Sequence, residues 1–419
     1  MRLIVTLLFA IYAFCANGQT TAEIKSFGNG YKYELYSPYP SNEIDSHLSP
    51  APKGYKPFYM SHLARHGSRW HSSSKSYTFP LSVLAAADKA GELTELGKRY
   101  YADVQIMAED AENRAGELSP RGFEQHRGIA ERMVKNFPEI FHKNSYLDCR
   151  STTVPRCILS MASAVREITK MVPTATIRME SSDDNKYMKP YKGLNSVKEE
   201  LVNLSDSLQS AYLPDYEPFM ARLFTKEQNI DKEKFFYYSY MLGAILGSTE
   251  VSGVDNLDYL FSDEEITGLW RASNIRRYAL TGPSKPYGAA ILSGMDPFVE
   301  NVVYTADRAI ERGDEQATLR FAHDVTVIPF AAILGIKGST LVSDDWANVG
   351  RSWRIHEVTP MGANFQMVFY RSKKNPEILV KILFNEREQI LDTAAVTPVE
   401  GVYYRWSDIR SYLLSKITK

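Results

Sequence analysis

Residues 58–70, with the sequence FYMSHLARHGSRW, constrain the fold of this chain more than any other stretch. The first half of this segment is apolar enough to predict a buried β-strand. The strand gives way to a loop that carries two arginines, a histidine and a glycine: Arg65, His66, Gly67 and Arg69. Because α/β sheets bind their ligands at the carboxyl ends of strands, this loop predicts a functional site.

The residue types in this loop suit an anionic ligand. Arg65 and Arg69 offer planar sets of N–H donors that match phosphate oxygens. Gly67 has no Cβ that would keep the backbone away from a ligand. His66 is the candidate nucleophile, since a neutral imidazole held against phosphorus can form a phosphohistidine. The loop therefore predicts phosphoryl chemistry.

The pattern R-H-G-x-R, present at residues 65–69, resembles the signature of the histidine acid phosphatase family. The resemblance covers most of the chain from about Tyr55 onward, and the C-terminal portion resembles multiple inositol polyphosphate phosphatases and their bacterial secreted, phytase-like relatives. One alternative is a structural histidine beside surface arginines. Another is a helical zinc pair formed by His62 and His66, four residues apart. No acidic third ligand follows nearby, which disfavours the zinc site.

Two later segments also carry the family resemblance. The sequence RSTTVPR, residues 150–156, is similar to the family's R-S-T-x-x-x-R segment. This similarity implies that Arg150 is the third phosphate ligand and that Arg156 lies on the following helix. The pair His323 and Asp324 ends another predicted strand. By the resemblance, His323 binds phosphate and Asp324 protonates the leaving oxygen, which implies activity at acid pH.

The motif around Asp324 bears on the substrate. The inositol polyphosphate phosphatases that this chain resembles carry H-A-E where it has His323, Asp324 and Val325. The H-D form is shared by general acid phosphatases, glucose-1-phosphatases and many phytases. Residues 71–78 form a polar, turn-like segment beyond the nucleophile motif, in which Lys75 is a candidate for a further contact with substrate.

The order of predicted elements indicates an α/β fold, a Rossmann-like mixed sheet flanked by helices, with a mostly α-helical inserted domain. Residues 19–173 and 286–419 are assigned to the α/β catalytic domain. Residues 174–285 are assigned to the helical insertion, a cap over the site. Two capping boxes, which begin at Ser196 and Ser262, indicate helix starts within this insertion.

The segment ELSPRGFEQHRG, residues 117–128, predicts another helix start in the catalytic domain. The Ser119 hydroxyl can cap this helix, with Pro120 at the first helical position. The segment resembles the L-[ST]-x-x-G-x-x-Q segment that family members carry after the nucleophile motif, which implies a scaffold role near the site.

The N-terminus has the pattern of a cleaved secretory signal peptide over residues 1–18, with cleavage before Gln19. We therefore expect a secreted or periplasmic protein. Cys15 suggests a lipid anchor, but the bulky Phe14 before it disfavours that modification. The apolar run is too short to span a membrane. Residues 20–53 are rich in Gly, Ser, Pro and Tyr and predict an extended arm.

Composition excludes some classes of partner. The 49 basic and 50 acidic residues give a formal net charge of −1, which disfavours nucleic acid and anionic membranes as partners. The expected partner is a small-molecule phosphomonoester, and its hydrolysis on His66 needs neither a metal nor another cofactor. Cys149 and Cys157 are left open as a possible disulfide. Nothing in the sequence determines the oligomeric state.

Together these patterns predict a secreted phosphomonoester hydrolase that acts through a phosphohistidine, with inositol polyphosphates such as phytate as the favoured substrates. The alternative within enzymes is a broad-specificity acid phosphatase or a glucose-1-phosphatase. The alternative from another class is a catalytically inactive protein that binds phosphate esters. The presence of both His66 and Asp324 argues against this last interpretation.

Overall fold

A computed structural model describes residues 18–44, 47–189, 194 and 197–418. Its strands are β1 Tyr55–Arg65, β2 Tyr146–Ser151, β3 Thr176–Ser181, β4 Ala317–Ala322, β5 Asn364–Ser372, β6 Leu379–Phe384, β7 Arg387–Glu388 and β8 Tyr403–Arg405. They form one sheet in the order β3-β2-β4-β1-β5-β6-β7, with β8 also paired to β6. The four strands from β3 to β1 are parallel, whereas β5, β6, β7 and β8 pair antiparallel.

Helices cover both faces of this sheet. In chain order they are α1 Thr21–Lys25, α2 Lys75–Lys89, α3 Glu95–Asp110, α4 Pro120–Asn136, α5 Pro155–Met171, α6 Lys198–Tyr212, α7 Glu217–Leu223, α8 Lys232–Ile245, α9 Asp263–Thr281, α10 Gly288–Ser293, α11 Asp296–Arg312, α12 Asp324–Leu334, α13 Ile355–Val358 and α14 Trp406–Ser415. No helix in the described part of the chain is long and apolar enough to cross a membrane.

The central strand β1 is buried on both of its faces. Tyr59 and Leu63 pack into the larger hydrophobic core, whereas Met60 and Ala64 face the smaller core, which also holds side chains of α4 and α5. Side chains alternate along a strand, so a strand between two helical layers buries the side chains of both of its faces. The predicted α/β fold with a mixed sheet is therefore confirmed.

One predicted boundary is wrong. Residues 174–285 were predicted to form the insertion, but β3 lies within this range and pairs with β2 in the main sheet, from Tyr146 with Thr176 to Ser151 with Ser181. The strand is short and mostly exposed, with a burial pattern unlike that of β4, so its sequence lacks the apolar run of a central strand. The mainly helical segment begins after β3.

The predicted extended arm is also wrong in its structure. Residues 20–44 form α1, which begins with a capping box at Thr20, and three short 3₁₀ turns. The segment packs against the helical insertion: Lys25 lies 2.5 Å from Asp263, and the Tyr240 hydroxyl donates to the Tyr31 carbonyl at 3.0 Å. Buried apolar side chains within the segment hold it on α8 and α9, a tertiary contact that Gly and Pro content does not reveal.

Several local signals are confirmed. Ser119 caps α4 with Pro120 at its first position, and Ser262 forms a capping box with Glu265 at the start of α9. The capping box predicted at Ser196 falls outside the described residues, as do the predicted signal sequence up to residue 17 and Cys15 within it.

Cys149 and Cys157, whose pairing the sequence left open, are both buried free thiols. Cys149 lies in β2 within the smaller core, whereas Cys157 lies in the first turn of α5. The Cys157 Sγ donates to the carbonyl of Ala322 at 3.1 Å. The two cysteines therefore pack in different environments and do not form a disulfide.

Candidate active site

His66 and His323 meet at one edge of the sheet. They follow the last residues of β1 and β4, which are adjacent parallel strands with Arg65 opposite Ala322. The His66 amide donates to the Ala322 carbonyl at 3.0 Å, and the two imidazole rings lie with centroids 5.7 Å apart. Parallel strands end at the same edge, so two motifs far apart in sequence become one site.

His66 is held as a neutral imidazole with a defined tautomer. Its Nδ1 lies 2.9 Å from the Gly67 carbonyl, which can only accept, so Nδ1 carries the proton and Nε2 holds the lone pair. Burial lowers the pKa of His66 well below its usual value, and the positive charges of Arg69, Arg65 and Arg156 lower it further. Nε2 is therefore available as a nucleophile.

Arg65 and Arg69 present buried N–H groups that have no acceptor. Arg65 is fully buried and donates through Nη1 to the carbonyls of Leu35 (3.0 Å) and Thr359, while its Nε and Nη2 have no partner in the described structure. Arg69 donates through Nη1 to the Trp70 carbonyl at 2.8 Å, and its Nε is also unpartnered. Buried donors without partners are costly, so this arrangement favours a bound anion.

The third arginine at the site is Arg156, not Arg150. Arg150 lies within β2, where its Nε and Nη2 donate to Asp148 at 2.9 and 2.5 Å. The two residues stand two apart on one strand, so their side chains share a face and pair with each other. Arg156, in contrast, lies in the first turn of α5 and its charge lowers the pKa values of both His66 and His323. The ligand role predicted for Arg150 is therefore wrong. The sequence feature that could have identified Arg156 is Pro155, which marks the start of the helix after β2 and so places Arg156 in its first turn.

His323 is neutral and faces the same space. Burial, followed by the charge of Arg156, lowers its pKa to about 3. Its Nε2 lies 3.1 Å from the Thr152 hydroxyl, and the Cys157 sulfur lies 3.7 Å from each ring nitrogen. A neutral imidazole can donate one hydrogen bond to a phosphate oxygen without adding charge.

Asp324 is the first residue of α12 and is ionised in the free site. Burial alone would raise its pKa, but the charges of Arg65 and Arg277 outweigh burial, and the pKa lies below the usual carboxyl value. The positive end of the α12 dipole also favours a carboxylate at this position. Any proton that Asp324 gives to a leaving group must therefore arrive with the substrate.

The nucleophile loop is braced by α4. The Ser68 amide donates to Oε1 of Gln125 at 2.9 Å, and Nε2 of Gln125 donates to the Ser68 hydroxyl at 3.0 Å. Gly67 and Gly122 are in close backbone contact: a Cβ on Gly67 would lie 2.5 Å from the Gly122 carbonyl oxygen. The loop and the helix therefore need glycine at both positions, in agreement with a scaffold role for the segment around Gly122.

A cavity of about 680 Å³ opens above Asp324 and Arg69. Lys75, predicted as a substrate contact, is exposed at the start of α2 and does not line this cavity, although its neighbours Ser72, Ser73 and Ser76 do. The helical insertion contributes three cations that sequence reasoning missed: Lys234, Arg276 and Arg277. No motif marks them, because they reach the cavity only through the tertiary packing of α8 against α2 and of α9 against α12.

The geometry matches a known family. Residues 59–385 match the family described as histidine phosphatase superfamily, branch 2. The chain belongs to this family. It is a histidine acid phosphatase.

Solved structures share this fold. A multiple inositol polyphosphate phosphatase from Bifidobacterium longum, in complex with inositol hexasulfate, has a TM-score of 0.77 at 21% identity, over 93% of this chain and 98% of the other. A phytase from D. castellii has a TM-score of 0.71 at 15% identity, over 93% of this chain and 85% of the other. A search of curated protein sequences finds no match.

The two candidate arginines can be separated by matched substitutions. We expect Arg156→Gln to reduce kcat/KM for a phosphomonoester by about 10²-fold, because it removes a donor to the negatively charged oxygens of the phosphoryl group in the transition state. Arg150→Gln, the control, should change kcat/KM by less than about threefold, since its side chain binds Asp148 instead. Steady-state kinetics and thermal unfolding of both variants measure the difference. A larger catalytic loss in Arg150→Gln than in Arg156→Gln would restore the assignment made from the sequence.

Proposed function

We propose that this phosphatase hydrolyses phosphomonoesters through a phosphohistidine on His66 and that inositol polyphosphates, including phytate, are its substrates. The observation that carries the proposal is the unprotonated Nε2 of His66 among Arg65, Arg69 and Arg156, beneath a cavity that holds further cations. This arrangement stabilises a tetrahedral phosphate anion and places the nucleophile, Nε2 of His66, so that it can attack the phosphorus atom.

The reaction has two displacement steps. In the first, Nε2 of His66 forms a bond to phosphorus, the bond from phosphorus to the ester oxygen breaks, and the leaving oxygen takes a proton from Asp324. In the second, water attacks phosphorus, the P–N bond breaks, and the proton of the water passes to Asp324. The arginines and His323 bind the equatorial oxygens in both steps.

The lowered pKa of Asp324 determines the expected pH dependence. A phosphomonoester has its second pKa near ~6, so below this pH the substrate is a monoanion that brings the missing proton into the site. The negative charge of the bound phosphate offsets the arginines and raises the pKa of Asp324, which then receives that proton. Hydrolysis should therefore be fastest between the pKa of free Asp324 and about pH 6.

The cavity supports a substrate with several phosphate groups. Its volume of about 680 Å³ is within the usual range for small-molecule sites. Lys234 and Arg276 line it and can bind phosphates that are not being cleaved, whereas the charge of Arg277 acts on Asp324. The structural neighbours named above are an inositol polyphosphate phosphatase and a phytase, and one of them binds a ring with six anionic groups.

A broad-specificity acid phosphatase or glucose-1-phosphatase is the second candidate, and the acidic side chains of the cavity favour it. Asp231 and Glu233 line the same cavity and would repel a highly charged ligand. Asp206 also lines it, although its carboxylate is paired with Nε of Arg276 at 2.8 Å. The balance between these acids and the cations decides how strongly phytate is preferred over a singly phosphorylated sugar.

We also propose export from the cytoplasm, on the signal-like pattern of residues 1–18. N-terminal sequencing of the protein from its native host tests this proposal. A mature chain that begins at Gln19 supports export, whereas an intact N-terminus contradicts it.

A substrate panel at acid pH tests the proposed function. We expect kcat/KM for phytate to exceed that for glucose-1-phosphate by about tenfold or more and that for a phosphoprotein by a larger factor. His66→Ala provides the blank for phosphate release. An equal or higher value for glucose-1-phosphate would favour the second candidate, and no release from any substrate would favour an inactive binding protein.

A further inference from the structure

Glu34 is a buried carboxylate in an unusual backbone conformation. It is fully buried, and its φ of 48° places a non-glycine residue in the left-handed region. Both features are costly unless the surrounding structure requires them. Residues in such conformations concentrate at functional sites, so the partners of Glu34 are informative.

The Glu34 carboxylate holds one arginine of the helical insertion. Its Oε1 accepts from Nε of Arg277 at 3.1 Å and from the Ser273 hydroxyl at 2.8 Å, and its Oε2 accepts from the Leu35 amide. Ser273 and Arg277 stand four residues apart on α9 and therefore share one face of that helix. Glu34 thus joins the N-terminal segment to α9 through a buried ion pair.

Arg277 faces the catalytic carboxylate. It lines the cavity together with Asp324, and within the described chain its two terminal nitrogens have no hydrogen-bond acceptor. The charged and titratable groups around Asp324 are Arg65, Arg69, Arg156, Cys157, Arg277 and His323. Arg277 is the only one of these that the helical insertion supplies, so its position depends on how α9 is held.

The neighbours of Glu34 hold the other arginines of the site. The Leu35 carbonyl accepts from Nη1 of Arg65 at 3.0 Å, and the guanidinium of Arg69 lies 5.2 Å from the centre of the Tyr36 ring. Three consecutive residues, Glu34–Tyr36, therefore each contact a different arginine of the site. Such a constellation of buried supporting contacts keeps binding groups in place before the ligand arrives.

We propose that Glu34 is a positioning residue that fixes Arg277 opposite Asp324 as an additional phosphate-binding group. The proposal rests on the phosphatase chemistry set out above but not on which phosphomonoester is the natural substrate. A structural role alone would stabilise the fold through the same ion pair, whereas a positioning role also predicts that Glu34 acts only through Arg277.

The test compares Glu34→Gln, Arg277→Gln and the double variant. We expect each single variant to weaken the binding of inorganic phosphate, measured by calorimetry, by about tenfold, the loss of one charge-assisted hydrogen bond. The acid limb of kcat/KM for glycerol 2-phosphate should move to higher pH in both variants. Arg277→Gln removes a positive charge that lowers the pKa of Asp324, and in Glu34→Gln the guanidinium of Arg277 is no longer held beside that carboxyl. The double variant should match Arg277→Gln.

Two outcomes would overturn the proposal. One is phosphate binding and an acid limb in Glu34→Gln that equal those of the wild type. The other is additive losses in the double variant, since these would mean that Glu34 acts independently of Arg277. Because the test uses inorganic phosphate and glycerol 2-phosphate, a failure to prefer phytate would leave its result unchanged.

Two further variants separate positioning from folding. Glu315→Gln breaks another buried ion pair, with Arg308, at the start of β4 and thus at the opposite end of that strand from His323. It should lower the melting temperature but leave phosphate binding and the pH profile unchanged. If Glu34→Gln does not fold, Ser273→Ala removes one hydrogen bond to the same carboxylate and should produce a smaller shift in the same direction. A wild-type acid limb in Ser273→Ala would then contradict the proposal.

Discussion

Replacing His66 with alanine is expected to reduce phosphomonoester hydrolysis by at least about 10⁴-fold, since removal of a nucleophile leaves only binding and electrostatic stabilisation. No neighbouring group can substitute for it: His323 has its Nε2 next to the Thr152 hydroxyl, and the Cys157 thiol has its pKa raised to about 11, chiefly by burial. The first measurement is kcat/KM. In the second, enzyme is mixed with labelled substrate and separate samples are quenched in acid and in alkali. A phosphoenzyme that survives alkali but not acid should form in the wild type and not in His66→Ala.

His62→Ala is the matched control for this experiment. His62 lies on the same strand four residues earlier, is buried, and has no hydrogen-bond partner for either ring nitrogen in the described structure. Its removal should leave a cavity and lower the melting temperature but retain phosphoenzyme formation. If His66→Ala formed as much phosphoenzyme as the wild type, the assignment of His66 as the nucleophile would be contradicted.

The second large effect is expected in Asp324→Asn and should depend on the leaving group. For glycerol 2-phosphate, whose alkoxide needs a proton, we expect a loss of about 10³-fold in kcat. For 4-nitrophenyl phosphate the leaving anion is stable without a proton, so the loss should be smaller by about tenfold or more. Comparison of kcat for the two substrates in the same preparation measures this difference.

Asn retains the size and one acceptor of Asp324, so the substitution leaves packing at the start of α12 nearly unchanged. The pH profile provides a second check, because the acid limb of kcat/KM should disappear in Asp324→Asn if that limb reports the carboxyl. Equal losses with both substrates would show that Asp324 contributes to binding or to the electrostatics of the site rather than to protonation of the leaving oxygen.

Helices and strands whose signals depend on neighbouring residues were predicted correctly from the sequence. The apolar run before Arg65 predicted β1, Ser119 and Pro120 predicted the start of α4, and Ser262 with Glu265 predicted the start of α9. Each of these depends on interactions within a few residues, which the order of amino acids contains directly.

Errors arose where distant segments meet. Arg150 lies near the end of β2 and Arg156 lies on the helix that follows, and only the alternation along β2 and the pairing with Asp148 exclude Arg150. The N-terminal segment looks extended by composition, yet Glu34–Tyr36 folds onto three arginines from other parts of the chain. The sequence predicted Lys75 in a polar loop beside the motif, but this residue is exposed at the start of α2 and does not line the cavity, which is lined instead by Lys234.

The amino-acid sequence by itself determined the chemistry of this protein: an imidazole, arginines and a carboxyl in strand-end positions, hence phosphoryl transfer on an α/β sheet. Tertiary structure alone decided which arginine completes the phosphate site and which cations of the insertion face it. The physical reason is the difference between interactions within a few residues and interactions between distant parts of the chain. Residue type and local backbone set what each group can do, whereas the field at His66 and Asp324 is a sum over charges that only packing brings within a few ångströms.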